Sequence, residues 1–559
     1  MKMQENIKRR NVMKNTVYGI ILAALAASLS LASCTKEMAA DPGNGGTPAA
    51  DGVREFTLSF AAPAKSAPGT GDDWRHPVFS AGDVIKLSNG TTSEDCTVAV
   101  SGSVAKIRTT LAGTLKAVYP ASAAVLSSGT TGYITGITVP AAQDGTFAAA
   151  NICMAENIAV GATSITLENK TALFKVTPPS GVKAFTVTSL KAVVGGVART
   201  GAAVPINSSE VVLENKVITV SNTALTTFYV SLLPGAKLSD LSFEYTVTGG
   251  TYDGAMKGIP EKDIQTQATA LGKTKDTFNN LAANNAYDIG SSGWHPYVTI
   301  GGKKWATMNI GATDTDPYGT YFAWGETNGI KPSASSFSFP TSKYYTADNN
   351  SWTQSSGFAW ENCPWTKGIY NDATKNVFTK YTRSNTYAKS GTADNKKTLD
   401  LADDAAYANW GGPWRMPTDD WTGFDTDVVA LVNAAGYLTN SIKYSSITTE
   451  PSSRGVYYYN GSGTKGVYFV NISLKKLFFP AAGFGSGTSL NFNYCYYWSS
   501  SILNDSFNAS SMFLYGTGAT TMRSYERYKG FPVRPVADWD REISEESANP
   551  AEMEEENVF

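Results

Sequence analysis

The side chains best suited to nucleophilic or metal chemistry are scarce in this chain of 559 residues. It has two histidines, His76 and His295, and five cysteines. Four of the cysteines are widely and irregularly spaced and match no zinc or redox motif: Cys96, Cys153, Cys363 and Cys495. These four thiols can pair as 96 with 153 and 363 with 495 or stay free and buried, and the sequence leaves both open. We expect no metal site, no cofactor and no enzymatic activity.

The fifth cysteine, Cys34, has a context that predicts lipid attachment. Basic residues between 8 and 14 precede an apolar segment from 17 to 31, and Leu31-Ala32-Ser33-Cys34 follows. This order resembles a bacterial lipobox, in which the signal is removed before the cysteine and the thiol is acylated. We expect residues 1–33 to be the signal peptide and residues 34–52 a flexible tether. The acyl chains would anchor the protein at the outer membrane.

Aromatic side chains are the candidates for ligand binding. Eleven of the twelve Trp and 21 of the 28 Tyr lie beyond residue 290. An aromatic ring can cover the apolar face of a sugar, although rings more often fill a core. Five rings lie among Ser, Asn, Thr and Lys with little periodicity, and a sixth belongs to a Tyr run that alternates between the faces of a strand. The predicted ligand-binding residues are therefore Trp352, Trp360, Trp365, Tyr344, Tyr345 and Tyr458.

A calcium site is a weaker alternative. The pairs Asn371-Asp372 and Asn504-Asp505 supply the oxygen ligands that calcium requires. The sequence lacks the proline-containing carboxylate and amide pairs that sugar-binding C-type lectins use, so we do not predict the site.

Charge is distributed unevenly along the chain. Residues 538–559 hold nine acidic residues against one basic residue, whereas residues 1–33 are basic, which leaves the remainder near neutrality. Nucleic-acid binding is not expected, because the body has no basic excess. The acidic segment 538–559 is predicted to be a disordered tail.

Residues 53–290 have the pattern of an all-β region. Short apolar stretches separated by Gly, Ser, Asn and Pro predict strands at 55–60, 83–88, 115–119, 134–139, 164–167, 172–176, 185–190, 211–220, 227–233 and 241–247. We find no convincing long amphipathic helix among them. The pattern predicts two β-sandwiches, at 53–160 and 161–290.

Ordered motifs in this region resemble those of the fimbrillin-like (Mfa-like) lipoproteins. The motifs are Trp74 with Phe79, 82–85, 117–120, Val139-Pro140 with Gln143, 151–154, 173–176, 228–230 and Leu233-Pro234. The resemblance implies pilins that assemble by strand exchange: a protease removes the first strand after a basic residue, and a neighbouring subunit's strand fills the groove. Arg54, Lys65 and Arg75 flank the first predicted strand and are the processing candidates. Alternatively they are ordinary surface cations.

The composition changes near 290–293, where a domain boundary is predicted. Gly301-Gly302 predicts one hairpin, and a second joins 455–459 to 467–470. The segment from Trp410 to Thr418 predicts the end of a short helix and a turn. Thr418 is the predicted N-cap of an amphipathic helix that carries Val428 and Leu431 and stops near 436.

Residues 291–537 resemble the Fibrobacter succinogenes major paralogous domain. The resemblance rests on 304–306 with Asn309, 321–325, 414–418, 479–483, 497–500 and 530–534. It implies an α+β, C-type-lectin-like domain with paired terminal strands. At these motif positions core packing is expected of Trp305, Trp324, Trp410, Trp414 and Trp498. The glutamate that the family usually places after the proline-threonine pair is missing here, so no role is carried over for it.

Together these observations predict a multidomain surface lipoprotein with two all-β sandwiches followed by an α+β C-type-lectin-like domain. The predicted function is a fimbrial tip subunit or adhesin whose C-terminal domain binds glycan or host protein. Its expected partners are neighbouring pilin subunits and the outer-membrane lipid. The alternatives are a pilus-independent polysaccharide-binding lipoprotein and, less favoured, a glycan-active hydrolase.

Overall fold

The computed structural model describes residues 52–61, 77–128, 132–199, 214–332, 338–339, 357–360, 363–366, 378–419, 426–437, 445–492, 494–502, 507–514 and 522–537. All of them lie in one compact unit that spans Ala50–Phe559. Within these ranges, no helix combines the length and the apolar character needed to cross a bilayer. The predicted signal peptide, Cys34, the tether and the acidic tail lie outside the described residues.

The first part of the chain is built on an eight-stranded sheet with the order β3-β2-β6-β10-β11-β1-β5-β4. The strands of this part are β1 (Arg54–Phe60), β2 (Val84–Ser88), β3 (Ser93–Thr97), β4 (Ala99–Ser101), β5 (Val104–Thr109), β6 (Leu115–Tyr119), β7 (Ala124–Leu126), β8 (Ile134–Val139), β9 (Ala142–Gln143), β10 (Cys153–Ile158) and β11 (Ser164–Asn169). A 3-10 turn (Ala121–Ala123) and the short helix α1 (Phe147–Ala150) lie between them.

The predicted sandwich limit at 160/161 falls in the turn between β10 and β11. These two strands pair with each other, through Cys153 with Asn169 and Met154 with Glu168. Strand β11 also pairs with β1, so residues 164–169 belong to the first sheet. The sequence predicts the strand but not its sheet, because pairing with a strand about 100 residues earlier leaves no local pattern.

The second part contains β12 to β20 and two helices that the sequence analysis missed. The strands are β12 (Ala172–Val176), β13 (Ala184–Ser189), β14 (Gly195–Arg199), β15 (Glu214–Asn215), β16 (Val217–Ser221), β17 (Phe228–Leu232), β18 (Leu241–Thr246), β19 (Gly254–Gly258) and β20 (Asn285–Ile289). The helices are α2 (Glu261–Ala270) and α3 (Lys275–Asn279), with a 3-10 turn at Leu238–Asp240. Helix α2 buries only Ile264 and Ala268, which is too narrow an apolar stripe to stand out in the sequence.

The third part contains β21 to β35 and two helices. Its strands are β21 (His295–Ile300), β22 (Lys303–Ala306), β23 (Tyr321–Phe322), β24 (Trp414–Arg415), β25 (Ser445–Ile447), β26 (Gly455–Tyr459), β27 (Gly466–Val470), β28 (Lys476–Pro480), β29 (Phe484–Ser486), β30 (Ser489–Asn491), β31 (Cys495–Ile502), β32 (Asn508–Leu514), β33 (Met522–Glu526), β34 (Phe531–Pro532) and β35 (Val536–Ala537). The helices are α4 (Ala405–Trp410), after a 3-10 turn (Leu401–Asp403), and α5 (Asp427–Ala434).

One sheet runs through the predicted boundary at 290–293. Its order is β24-β35-β22-β21-β19-β18-β13-β16-β9, and β19 pairs with β21 through Gly254 with Tyr297 and Met256 with His295. Backbone also meets backbone here, because a Cβ on Gly258 would lie 2.3 Å from the carbonyl carbon of Gly411. The second and third parts therefore share both a sheet and a contact that leaves no room for side chains.

The segment from Trp410 to Thr418 lies in this junction, and the helix after it starts later than predicted. Thr426, not Thr418, caps α5 by accepting from the backbone N–H of Val429. Thr418 instead donates its hydroxyl to Asp427 at 2.9 Å. The apolar positions of α5 and its end before Gly436 agree with the prediction. Trp421 lies outside the described residues.

The five tryptophans predicted to be in the core are all buried, at 6% exposure for Trp410 and 0% for the other four. The second strand of this part pairs with its last, since β22 lies beside β35. Arg534 fastens these elements: its guanidinium donates to Asn309 Oδ1 at 2.9 Å, to the Ala306 carbonyl at 3.2 Å and to the Phe478 carbonyl at 2.9 Å. Burial lowers the pKa of Arg534 to about 10, so it still carries its charge at neutral pH.

Candidate functional site

The predicted ligand-binding residues do not meet in one place among the described residues. Trp352, Tyr344 and Tyr345 lie outside them. Trp365 is 6% exposed, and its ring packs against Tyr381 with the centroids 5.7 Å apart while the ammonium of Lys380 lies 5.0 Å from its centroid. Trp365 is therefore buried among its neighbours, and a role for it in binding stays a prediction.

Trp360 is half-buried in an aromatic cluster. Its ring centroid lies 5.0 Å from that of Tyr528, 6.0 Å from that of Phe507 and 6.2 Å from that of Phe378. These neighbours come from three separate segments, so Trp360 contributes to packing between them. A role for Trp360 in binding stays a prediction.

Tyr458 points to the inner face of its sheet. It pairs with Val467 across β26 and β27 and packs against the core that contains Val467 and Phe479. Its neighbours Tyr457 and Tyr459 lie on the opposite face, as the alternation of side chains in a strand requires. Tyr458, the predicted ligand-binding residue of this run, thus faces the core, and its two neighbours face outward.

The outer face of the sheet β25-β26-β27-β28 carries aromatic rings from three adjacent strands. Tyr457 pairs with Tyr468, and Tyr468 pairs with Phe478. The ring of Tyr459 completes a group that we call the aromatic corner: Tyr459, Tyr468 and Phe478. The centroids are 4.5 Å apart for Tyr468 and Phe478, 6.1 Å for Tyr459 and Tyr468, and 6.4 Å for Tyr459 and Phe478.

Glycines lie beside two rings of the aromatic corner. A Cβ on Gly466 would lie 2.6 Å from Cζ of Phe478, and a Cβ on Gly461 would lie 2.7 Å from Cζ of Tyr459. A backbone carbonyl is closer still at both positions, 2.2 Å away for Gly466 and 2.5 Å away for Gly461. A side chain at Gly466 would therefore meet both the carbonyl of Phe479 and the ring of Phe478.

Polar groups and an exposed hairpin tip border the aromatic corner. Lys476 Nζ lies 2.8 Å from Glu450 Oε2. Burial, followed by the charge of Glu450, raises the pKa of Tyr468, so its hydroxyl stays protonated at neutral pH. At the tip between β27 and β28, Ile472 is 77% exposed and Leu474, with φ of 59°, is 51% exposed.

Tyr468 and Phe478 were not among the predicted ligand-binding residues, although the sequence carries a usable indication. In Val467-Tyr468-Phe469 and Leu477-Phe478-Phe479 the middle residue alternates with two core residues, so it must face the other side of the strand. The pairing of β27 with β28 could not be read in this way, and it is the pairing that brings the two rings together.

Among the processing candidates, only Arg54 lies in the described residues, because Lys65 and Arg75 fall in 62–76. The guanidinium of Arg54 donates to the carbonyls of Gly113 at 2.8 Å and Ala159 at 2.9 Å. It also lies 4.9 Å from the ring centroid of Phe56. Arg54 thus connects the start of β1 to segments on both sides of it.

Strand β1 occupies an interior position in the first sheet. It pairs in parallel with β11 and antiparallel with β5. Phe56 is fully buried and Leu58 is 6% exposed, so the inner face of β1 fills part of the core. Glu55 on its outer face accepts from Lys106 at 2.7 Å and from Arg108 at 2.8 Å.

The four cysteines of the described residues are free and buried: Cys96, Cys153, Cys363 and Cys495. Of the two alternatives, the structure has free thiols. Burial raises the pKa of Cys363 to about 12, so this thiol is protonated and unreactive at neutral pH. Cys34 lies outside the described residues.

The described residues hold no cluster of three His, Cys, Asp or Glu side chains suited to a metal ion. The two Asn-Asp pairs considered for calcium, at 371–372 and 504–505, both lie outside these residues.

Comparison with known proteins gives matches to solved structures alone. No family model and no curated protein sequence matches the chain. A candidate cell adhesion protein from Bacteroides uniformis is 12% identical, and the match covers 44% of this chain and 95% of that one with a TM-score of 0.27. A candidate cell adhesion protein from Bacteroides ovatus is 13% identical over 42% of this chain and 89% of that one, with a TM-score of 0.24.

The tip fimbrial protein Mfa3 from Porphyromonas gingivalis, with its C-terminus truncated, is 13% identical over 42% of this chain and 93% of that one, with a TM-score of 0.20. Each of these matches takes in less than half of this chain. The resemblance of residues 291–537 to the Fibrobacter succinogenes major paralogous domain is not tested by them and stays a prediction.

Proposed function

We propose that this chain is made as a lipid-anchored bacterial surface protein, without enzymatic activity, and that it serves as a fimbrial tip subunit or adhesin. The proposal rests on the position of β1, which is an interior strand of the first sheet although it stands at the start of the described chain. The segment that follows it contains Lys65 and Arg75. A protease that cuts after either residue would sever β1 from the rest of the fold.

Loss of β1 would open a groove suited to another strand. The backbone edges of β5 and β11 would both be unpaired, and the sites of Phe56 and Leu58 would be empty apolar pockets. Main-chain hydrogen bonds along such edges give affinity, and pockets for alternate side chains give specificity. A neighbouring subunit's strand would restore both.

The last described strand supports a tip position. Strand β35 is paired on both sides, with β22 and with β24, so both of its edges are occupied by strands of the same chain. A subunit that receives a strand but does not offer β35 to the next one would end a fibre. The third part of the chain would then face the surroundings and bind glycan or host protein.

The test is the location and the N-terminus of the protein in purified fimbriae. We expect immunogold label at fibre ends and an N-terminal sequence that begins after Lys65 or Arg75. The double variant Lys65→Ala with Arg75→Ala should stay unprocessed and leave the fibres. Label along the shafts, or fibres that lack the protein, would exclude the tip role.

A second candidate function is a pilus-independent lipoprotein that captures polysaccharide. The contacts of Arg54 and Glu55 favour it, because they hold β1 to its neighbours on both sides. In that case the N-terminus of the mature protein should remain at Cys34.

Incubation of the purified protein with a glycan panel tests the proposed absence of hydrolase activity. New products would disprove it.

A further inference from the structure

We infer that the aromatic corner of Tyr459, Tyr468 and Phe478 is the site at which this protein binds a neutral glycan. This inference rests on the proposed function and deepens it, because it selects glycan over host protein and names the binding surface. It also moves the site from the loop tryptophans to the outer face of the sheet β25-β26-β27-β28.

The three rings form two surfaces at nearly a right angle: the rings of Tyr468 and Phe478, which we call the floor, and the ring of Tyr459, which we call the wall. The planes of Tyr468 and Phe478 lie 41° apart across adjacent strands, while Tyr459 stands at 87° to Tyr468 and at 84° to Phe478. A pyranose has one face of axial C–H groups and a rim of hydroxyls. The floor can cover the C–H face while the wall limits how the sugar lies.

The ring of Phe478 lies close to the backbone of the neighbouring strand, because its Cζ is 2.6 Å from the position that a Cβ on Gly466 would take. The backbone of Phe478 is itself held by Arg534, which donates to its carbonyl at 2.9 Å. A backbone held in this way loses little conformational entropy when a ligand covers the ring.

The charges at the border favour a neutral ligand. The ammonium of Lys476 and the carboxylate of Glu450 form an ion pair with each other at 2.8 Å, so this border has no charge excess. A polyanion or a strongly basic peptide would find no complementary charge there. The pair still offers donors and acceptors for sugar hydroxyls, as does the hydroxyl of Tyr468. The hydroxyl of Tyr459 donates to the carbonyl of Ser462 at 3.0 Å and is left as an acceptor.

A purely structural role for the rings makes a different prediction. An aromatic ring that covers a glycine in a neighbouring strand stabilises the sheet by itself. If that were the whole role, Tyr468→Phe would change nothing, because its ring would be retained. If the rings bind glycan, Tyr468→Phe should weaken binding at unchanged stability, since one hydroxyl is lost.

The experiment uses the unprocessed acylated protein in detergent on an array of neutral polysaccharides: β-glucans, xylan, galactomannan and amylose. We expect binding to at least one of them, at least a tenfold loss of affinity for Phe478→Ala and for Tyr459→Ala, and a smaller loss for Tyr468→Phe. Ile472→Ser, at the exposed tip of the same hairpin, is the matched control and should bind as the wild type does.

Thermal unfolding of each variant shows whether it is folded, and Tyr468→Phe covers the case in which an alanine variant is not. Unchanged binding by folded Phe478→Ala and Tyr459→Ala, or binding to none of the four polysaccharides, would overturn the inference. Adhesion to immobilised matrix proteins together with binding to none of the four polysaccharides would overturn the inference, but would leave the proposed adhesin function standing.

Discussion

Trp324 and Trp498 each donate a hydrogen bond to a backbone carbonyl close in sequence to the other residue. The indole N–H of Trp324 donates to the carbonyl of Ser499 at 2.9 Å, and the indole N–H of Trp498 donates to the carbonyl of Phe322 at 2.8 Å. Both rings are fully buried. The two residues are far apart in sequence, so this reciprocal pair closes the third part of the chain around its core.

Removing one of the two indole donors should be costly. Trp498→Phe leaves the Phe322 carbonyl without this donor and opens a small cavity, and the two effects together should lower the free energy of unfolding by about 2–4 kcal/mol. Urea denaturation measures the loss. Trp360→Phe, at a half-buried ring, is the control and should cost less; equal losses would show that the reciprocal bonds contribute little.

The ion pair between Arg415 and Asp427 predicts strong coupling. Arg415 Nη1 lies 2.5 Å from Asp427 Oδ2, and both residues are buried. Asp427→Asn should cost about 3–5 kcal/mol, because the buried guanidinium loses the charge of Asp427. Combined with Arg415→Met, the loss should be well below the sum of the two single losses. A double-mutant cycle measures this coupling, and additive losses would contradict it.

His295 should make the protein sensitive to acid. Its ring stacks on Trp410 with the centroids 3.6 Å apart, and burial, followed by the charge of Lys257, lowers the pKa of His295 from 6.5 to about 3. The unfolded chain takes up a proton below pH 6.5 and the folded protein does not until about pH 3. This residue therefore lowers stability as the pH falls through that window, by up to about 1.4 kcal/mol per pH unit.

His295→Phe isolates this contribution, because phenylalanine keeps a flat ring but cannot titrate. The free energy of unfolding of the variant minus that of the wild type should rise as the pH falls from 6.5 to 4. Above pH 7.5 this difference should stay constant. Denaturant titrations at several pH values give this difference. A difference that is the same at every pH would show that His295 does not titrate as described.

The junction at Gly411 should not tolerate a side chain. Its φ is 64°, and a Cβ would lie 2.4 Å from the carbonyl carbon of Ile259. Gly391 is a matched control, with φ of 78° and nothing within 4 Å of its Cβ position. Both alanine variants incur the cost of the left-handed backbone, but Gly411→Ala should lose about 1–3 kcal/mol more because the backbones must move apart. Thermal unfolding compares the two variants.

Many strands of residues 53–290 were predicted within one or two residues of their observed ends. Strands 115–119, 134–139 and 172–176 agree fully with β6, β8 and β12. Apolar alternation and turn residues are local properties, which is why they are legible in the chain. Helices α2 and α3 were missed because their exposed surfaces carry mostly polar residues, and the start of α5 was misplaced because Thr418 and Thr426 are both good N-caps.

The sequence by itself determined the strand-rich character of this protein, the burial of its five motif tryptophans, the alternation of faces along the run from Tyr457 to Tyr459, and the motifs on which its proposed surface location rests. Only the tertiary structure decided that one sheet passes through 290–293, that β1 lies between β5 and β11, and that Tyr459, Tyr468 and Phe478 meet. The reason is physical: periodicity records which face of a strand is buried, but the partner of that strand is selected by contacts between residues that are distant in sequence.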